Sequence, residues 1–286
     1  MTDPNVVVQQ FSGKVHVFTP GGSEQDSKYF RWQIEQFDDG TWSGWDLERI
    51  HECTRTASTA FSIGNNLTDS GQHWPAIKED GQDFIGGTVH GHEIGSSATI
   101  EVDASPQSID GTTTYQGDSV TFTKTSTLYS KADGTTQIFT LTTEMTFTAS
   151  DVVVTSTITA LTSVDIITAY LAMWSFSKYL NATEAHGLVF DHYYASPDYV
   201  DGVVGTEGSP LTASRFLMVG DDSGIRADIE VTSGWADSER DSFVQLASSS
   251  SKAYFSPVGI NRAVPLSMVV DDAITMTTRY KLTSSN

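Results

Sequence analysis

Hydrophobic and polar residues alternate with a period of two along most of this chain. The segments 119–129, 136–148 and 152–161 show the alternation most clearly. In the second of these, the apolar residues that share one face are Phe139, Leu141, Met145 and Phe147. Helical periodicity is nearly absent. The pattern therefore predicts antiparallel strands with one buried face and one Thr-rich exposed face.

Turn signals between these segments indicate hairpins rather than long crossovers. Ser12-Gly13 and Ser150-Asp151 each separate two predicted strands. The segment 164–176 is more uniformly apolar, which predicts a central strand buried on both faces. No linker or fixed repeat interrupts the chain. We predict an all-β fold with one domain, residues 1–286: a large antiparallel two-sheet β-sandwich (jelly-roll or super-sandwich) with a concave face for a glycan.

The charge of the chain excludes some partners. With 36 acidic and 16 basic residues the net charge is −20, and no Lys/Arg cluster exists, so nucleic acid is excluded and an anionic membrane is disfavoured. The N-terminus shows no secretory signal and no window resembles a membrane helix. We expect a protein that is cytoplasmic, or that reaches the exterior on a virion or by lysis.

The chain has one cysteine, Cys53, which cannot form an internal disulfide. Free cysteines behave mostly as small buried hydrophobic residues. We therefore expect Cys53 to be a buried strand residue rather than a catalytic thiol.

The densest group of reactive side chains is the segment 83–93, which holds two histidines, a glutamate and three glycines. It follows 65–83, the longest irregular stretch of the first half. On a strand, His90 and His92 would share one face and Glu93 the other. A bulged strand that buries its histidines is the structural alternative.

Metal binding is one chemical interpretation of this segment. A His-x-His pair on a strand is typical of cupin metal sites, and His186 or His192 would supply a third ligand for a divalent metal. The glutamate expected at cupin spacing is missing, since Ser96 and Ser97 stand there. Without this site we expect no cofactor.

Acid–base chemistry on a polysaccharide is another interpretation. A β-elimination needs a base, an acid and a group that neutralises a uronate carboxylate. The candidates are His90 or His92 as base, Tyr193 or Tyr194 as acid, and Arg49 or Arg31 as neutraliser. Hydrolysis would instead need two carboxylates, from Glu93 with Asp191, Glu184 or Glu52.

Tryptophans near these residues suggest sugar stacking, because an indole face matches the apolar face of a pyranose. The expected substrate-binding residues are Trp42, Trp45, Trp74, His192, His186 and Arg31.

The segment 83–93, preceded by Ala76-Ile-Lys-Glu, resembles a motif of bacteriophage tail-fibre and tail-spike-associated proteins. The resemblance covers about twenty residues. It implies a virion-borne β-protein that binds or degrades host-surface glycans, and a homo-oligomer, since trimers are common among tail proteins. Polysaccharide lyases with β-sandwich folds are a looser comparison.

Together these features predict a polysaccharide lyase that cleaves a uronic-acid-containing glycan, with a polysaccharide or cell-surface glycan as partner. The alternatives are a glycoside hydrolase, a non-catalytic glycan- or receptor-binding virion module, and a cupin-like metalloenzyme.

Overall fold

A computed structural model describes residues 6–21, 28–68, 75–109, 111–196, 200–203, 211–235, 240–246 and 250–284. These residues form 23 strands, one helical turn, α1 (Gly87–His90), and two 3₁₀ turns, Leu180–Ala182 and Glu184–His186. The predicted all-β class is confirmed. None of the helices among these residues has the length and apolar character needed to span a membrane.

The strands in the first part of the chain are mostly joined as hairpins. They are β1 (Val6–Phe11), β2 (Lys14–Pro20), β3 (Lys28–Asp38), β4 (Ser43–Ala57), β5 (Ala60–Asn66), β6 (Ala76–Glu79), β7 (Phe84–Ile85), β8 (Glu93–Val102), β9 (Ser105–Gln107), β10 (Thr114–Gly117), β11 (Ser119–Tyr129), β12 (Gln137–Thr148) and β13 (Val152–Ala160).

The strands in the second part belong to three different sheets. They are β14 (Val164–Tyr170), β15 (Ala172–Ser177), β16 (His192–Ser196), β17 (Val200–Val203), β18 (Arg215–Val219), β19 (Ile225–Ser233), β20 (Asp241–Leu246), β21 (Ser250–Ser256), β22 (Leu266–Met268) and β23 (Ala273–Ser284).

One sheet of 16 strands dominates the molecule, with the order β10-β1-β2-β3-β4-β8-β11-β12-β13-β23-β19-β18-β16-β17, and with β5 on β4 and β9 on β8. The neighbours in this sheet are antiparallel, except for one parallel pair between Ser43 of β4 and Ile94 of β8. Two small sheets accompany it, β22-β14-β6-β7 and β15-β21-β20.

The large sheet folds over itself to make a sandwich. Trp32 of β3 lies 5.8 Å from Phe147 of β12 and 5.4 Å from Tyr280 of β23, measured between ring centroids, although these strands are far apart in the sheet order. Trp174 of β15 stacks on Tyr280 at 3.9 Å. The inner faces thus share one apolar core, as in a two-layer β-sandwich.

Several local predictions are confirmed. The segment β12 buries Phe139, Leu141, Met145 and Phe147 while most of its threonines are less buried. Hairpins form at Ser12-Gly13 and at Ser150-Asp151. Cys53 is 2% exposed, and burial raises the pKa of its thiol to about 11, so it is a protonated strand residue in the interior.

Two predictions are wrong. The segment 164–176 is not one strand, because the chain passes at Leu171 from β14, in one small sheet, to β15, in the other. Only β15 is buried along its whole length. The stretch 65–83 is not wholly irregular either, since Ala76–Glu79 pairs with β14 as strand β6.

Candidate functional site

The segment 83–93 is not the continuous strand that its sequence suggested. It contains β7, then the helical turn α1, and His92 adopts a positive φ of 60° before β8 begins. Gly86 has φ 108°, and a Cβ there would lie 2.5 Å from the carbonyl oxygen of Pro75. The glycines therefore fold the chain into a compact turn, and the expectation that His90 and His92 share a strand face is wrong.

Glu93 anchors this turn from inside the protein. The glutamate is 0% exposed, and its carboxylate accepts hydrogen bonds from the Gly87 amide (2.6 Å), the Ser126 hydroxyl (2.7 Å) and the Lys124 ammonium (3.3 Å). Because three donors occupy its carboxylate, Glu93 supports α1. It is not free to act in catalysis as the sequence had suggested.

Lys124 joins Glu93 to a second buried carboxylate. Its ammonium lies 2.7 Å from Asp46, whose other oxygen accepts a hydrogen bond from Thr88 of α1 at 3.0 Å. Burial raises the pKa of Asp46 well above its ordinary value, although Lys124 opposes the shift. Burial alone would lower the pKa of Lys124, but the two carboxylates raise it. We call Asp46, Lys124 and Glu93 the buried triad.

A cavity of about 340 Å³ opens on the other side of α1, between the two small sheets. Strands β6, β7 and β14 form one side and strands β15 and β21 the other, while α1 contributes His90. The cavity is lined by Ala76, Lys78, Phe84, Val89, His90, Tyr170, Met173, Lys252, Tyr254 and Asn261.

Aromatic rings form much of the cavity wall. Phe84 stacks with Tyr170 at 5.6 Å, Tyr170 lies 5.0 Å from Tyr254, and Phe84 lies 5.4 Å from His90, between centroids. Two ammonium groups lie over these rings, Lys78 at 5.6 Å from Phe84 and Lys252 at 5.9 Å from Tyr254. The wall combines flat apolar surfaces with positive charge, which suits a sugar that carries an anionic group.

The titratable groups of the cavity are held in defined protonation states. Burial lowers the pKa of His90, and although the nearby Asp83 opposes this, the neutral imidazole is favoured at neutral pH. Burial, with a contribution from Asp241, raises the pKa of Tyr170 to about 12. Burial also raises the pKa of Tyr254. The cavity thus presents a neutral base and protonated phenols together.

No carboxylate belongs to the described residues that line this cavity. Asp83 and Asp241 lie close enough to influence the pKa of His90 and Tyr170 but outside the lining. In a chain with a net charge of −20, this wall with two lysines is a local exception. A pair of carboxylates for glycoside hydrolysis is therefore absent from the described lining.

His92 belongs to a different group of aromatic residues. Its ring stacks on Trp42 at 4.5 Å, and Trp42 lies 5.8 Å from Tyr129. One face of the Trp42 indole is therefore covered by His92, and neither residue is in the lining of the cavity. Since His90 instead contacts Phe84, the structure gives no support to a metal bound between His90 and His92.

The predicted cluster at 186–194 lies apart from His90, with none of its residues in the described cavity lining. Tyr193 is 3% exposed and packs in the core, while Tyr194 meets His192 edge-on at 5.9 Å. His186 is exposed at the end of a 3₁₀ turn.

His192 has acidic neighbours. Its Nδ1 contacts a carboxylate oxygen of Asp191, and its Nε2 lies 3.7 Å from a carboxylate oxygen of Asp221. Of the His, Cys, Asp and Glu side chains that the structure describes, these three form the group close enough to share a metal ion. Asp221 is exposed, so the group also fits an ordinary solvated acidic surface.

The two predicted arginines lie on β3 and β4. Arg31 contacts His51 through a guanidinium nitrogen 3.0 Å from Nδ1, and exposed Arg49 lines a separate cavity of about 430 Å³. Glu52 accepts a hydrogen bond from Asn65 at 3.0 Å. Trp45 packs 5.9 Å from Phe122. Trp74 lies outside the described residues.

Sequence reasoning missed most of the cavity wall, namely Lys78, Phe84, Tyr170, Lys252 and Tyr254. Part of a signal existed, because Lys252 and Tyr254 are two residues apart and must share a strand face. Lys78 and Phe84 pair across β6 and β7, but this register depends on a tight turn that the sequence analysis placed in a long loop.

Comparisons with known proteins give no family. No family model matches the chain, and no curated protein matches it. Among solved structures, the Slr1438 protein from Synechocystis sp. PCC 6803 matches with 7% identity and a TM-score of 0.38, over 92% of this chain and 97% of that one. A putative mutarotase (YeaD) from Salmonella typhimurium matches with 8% identity and a TM-score of 0.42, over 99% and 95%. Neither likeness is strong enough to carry an activity over to this chain.

Proposed function

We propose that the cavity beside His90 binds a uronate residue of an acidic polysaccharide and cleaves the chain by β-elimination. The observation that carries the proposal is the composition of the wall: stacked aromatic rings, two lysines, a neutral imidazole and protonated phenols, with no carboxylate among the described lining residues.

Each wall residue matches one requirement of the reaction. Lys78 and Lys252 bind the uronate carboxylate and stabilise the negative charge that spreads into it when the C5 proton leaves. The neutral imidazole of His90 accepts this proton. The C4–O bond then breaks as a C4–C5 double bond forms, and the leaving oxygen takes a proton from the phenol of Tyr170 or Tyr254.

The lysines of the wall also explain how a strongly acidic protein could bind a polyanionic substrate. A net charge of −20 repels a polyanion at long range, yet this repulsion is screened beyond about 8 Å at physiological ionic strength. Binding is then governed by the groups in contact with the substrate, and here these include Lys78 and Lys252.

The test is an assay of uronate polymers for the near-ultraviolet absorbance of an unsaturated uronide. We expect His90→Gln, and the double change of Tyr170→Phe with Tyr254→Phe, to lower kcat by about 10²- to 10⁴-fold. We expect Lys78→Met to lower kcat and to raise KM, because Lys78 binds the carboxylate and stabilises the charge that develops on it. His186→Gln and Tyr194→Phe, which alter predicted residues outside the cavity lining, are matched controls and should retain wild-type rates.

The outcomes separate the alternatives. New reducing ends without the absorbance would indicate a hydrolase, and the proposal would fail. Calorimetric binding that Lys78→Met abolishes, with no cleavage by the wild type, would identify a glycan-binding module instead. The virion-borne role and the homo-oligomer implied by the resemblance of 83–93 stay predictions. Measuring the mass of the native protein in solution would test the homo-oligomer.

A further inference from the structure

The outer face of β2, β3 and β4 carries two arginines and two histidines at adjacent register positions. Gln33 of β3 pairs with His16 of β2 on one side and with Arg49 of β4 on the other, while Arg31 pairs with His51. The alternate residues of these strands, such as Val15, Val17, Trp32, Ile34 and Ile50, lie in the core. The basic side chains therefore share the face that points away from the core.

Arg31 lacks the partner that a buried guanidinium usually has. Its Nη2 atom lies 3.0 and 3.3 Å from the two ring nitrogens of His51, and its Nε is buried without a hydrogen-bond acceptor. No carboxylate in the described part of the chain lies within ion-pair distance of Arg31. Burial lowers the pKa of Arg31, because a guanidinium that is partly removed from water is less stable in its charged form.

The two histidines beside Arg31 are also largely removed from solvent. Burial, followed by the charge of Arg31, lowers the pKa of His16 to about 4 and that of His51 to about 3. The Nε2 atom of His16 is buried and has no partner among the described residues. Both imidazoles are therefore neutral at neutral pH and can donate one N–H each.

The acidic groups around the cluster do not fill this gap. Glu35 is held by Lys14 at 2.5 Å and by the Gln33 amide at 2.8 Å. Glu48 approaches Arg49 only to 4.0 Å, and burial raises the pKa of Glu48. The adjoining cavity of about 430 Å³ leaves room for a ligand beside Arg49. Its lining also includes Glu35, Asp46 and Glu48, of which Glu35 is paired with Lys14 and Asp46 with Lys124.

We propose that Arg31, Arg49, His16 and His51 form a binding site for an oxyanion group, either a sugar-borne carboxylate or a sulfate. Guanidinium groups bind such planar or tetrahedral anions through paired N–H donors. The exposed guanidinium of Arg49 offers such donors beside the partly buried Arg31, whose Nε has no acceptor. The four residues are absent from the described lining of the His90 cavity, so this site stands or fails independently of the proposed lyase activity.

The test is titration of the full chain with sodium glucuronate, sodium sulfate and neutral glucose, followed by calorimetry and by NMR of the histidine rings. We expect both anions, but not glucose, to bind and to raise the pKa of His16, because negative charge near an imidazole favours its protonated form. Tighter binding of glucuronate would identify a sugar-borne carboxylate as the ligand. Equal or tighter binding of sulfate would show that the site recognises the negative charge and not the sugar.

Variants locate the binding. Arg49→Gln changes an exposed side chain and should leave the fold intact while it weakens anion binding tenfold or more, since hydrogen bonds to charged groups contribute about 1.5–3 kcal/mol. Arg226→Gln, at an exposed arginine of β19, is the control and should bind normally. The proposal is overturned if neither anion binds, or if Arg49→Gln and Arg31→Gln, shown by thermal melting to be folded, bind as the wild type does.

Discussion

Single residues in this protein show how strongly burial dictates chemistry. Tyr280 is 0% exposed, with Trp174 stacked on its ring at 3.9 Å and Trp32 edge-on at 5.4 Å. Its hydroxyl has no hydrogen-bond partner among the described residues, and burial raises its pKa well above the ordinary value. A buried hydroxyl without a partner destabilises the folded state, because the unfolded chain hydrates it.

We expect Tyr280→Phe to stabilise the protein by about 1 kcal/mol, since the ring contacts remain and the unpaired hydroxyl is removed. Urea denaturation would measure the change in the free energy of unfolding. Thr19→Val provides the contrast, because it removes the acceptor of the buried Trp32 N–H (2.8 Å) and should destabilise by a similar amount. A loss of 1 kcal/mol or more in Tyr280→Phe would show that the hydroxyl is satisfied.

At the scale of elements, α1 has only four residues, and such a short turn has little helical stability of its own. Its position comes from the buried triad, through the bonds from Gly87 to Glu93 and from Thr88 to Asp46. The same turn contributes His90 to one cavity and Thr88 to the cavity beside Arg49.

We expect Lys124→Met to destabilise the protein by about 3–5 kcal/mol, because it leaves two buried carboxylates without a cation. Chemical denaturation would measure the loss, and hydrogen exchange at the Gly91 amide, which bonds to Gly87 at 2.9 Å, would report on α1. The combination with Asp46→Asn and Glu93→Gln removes both charges and should recover much of the stability. A loss below about 1 kcal/mol in Lys124→Met would contradict this account.

Sequence periodicity predicted the elements that depend on local pattern and missed those that depend on distant contacts. The alternation in β11, β12 and β13 follows directly from one buried face and one wetter face. The break at Leu171 arises because β14 joins one small sheet and β15 joins the other. The residues within 164–176 give no signal of these different partners. The alternation in β11 places Lys124 on the inward face with Val120 and Phe122. It does not show which carboxylates pair with the lysine, because they are 78 and 31 residues away in the chain.

The candidate site was predicted in part for the same reason. His90 stood out by composition, and the structure places it in the cavity wall. Its neighbours Tyr170 and Tyr254 come from strands of two different sheets, which no spacing rule connects. Arg49 and Arg31 stood out as cations, but their position beside His16 and His51 depends on the register of β2, β3 and β4.

The whole molecule combines a dense core with a strongly acidic surface. The excess of acidic over basic residues gives a net charge of −20, and like charges on a compact body repel one another. The cavity wall that carries Lys78 and Lys252, with no carboxylate among its described lining residues, is a local departure from this field.

We expect the melting temperature to rise when potassium chloride is increased from 10 mM to 0.5 M, because the screening length falls from about 30 Å to below 8 Å and surface repulsion weakens. Scanning calorimetry would measure the increase. Arg49→Gln should show the same increase if screening is the cause, since the effect belongs to the surface as a whole. A melting temperature that falls with added salt would refute the explanation.

The place of β23 in the large sheet has a consequence for biosynthesis. This strand fills the gap between β13 and β19, and the cross-strand bond between Thr155 and Thr277 (3.0 Å) joins residues 122 positions apart. On the ribosome, β13 and β19 therefore emerge long before the strand that separates and covers them. Until then each offers an open edge to other nascent chains, so β13 and β19 are where we expect chaperones to be needed most.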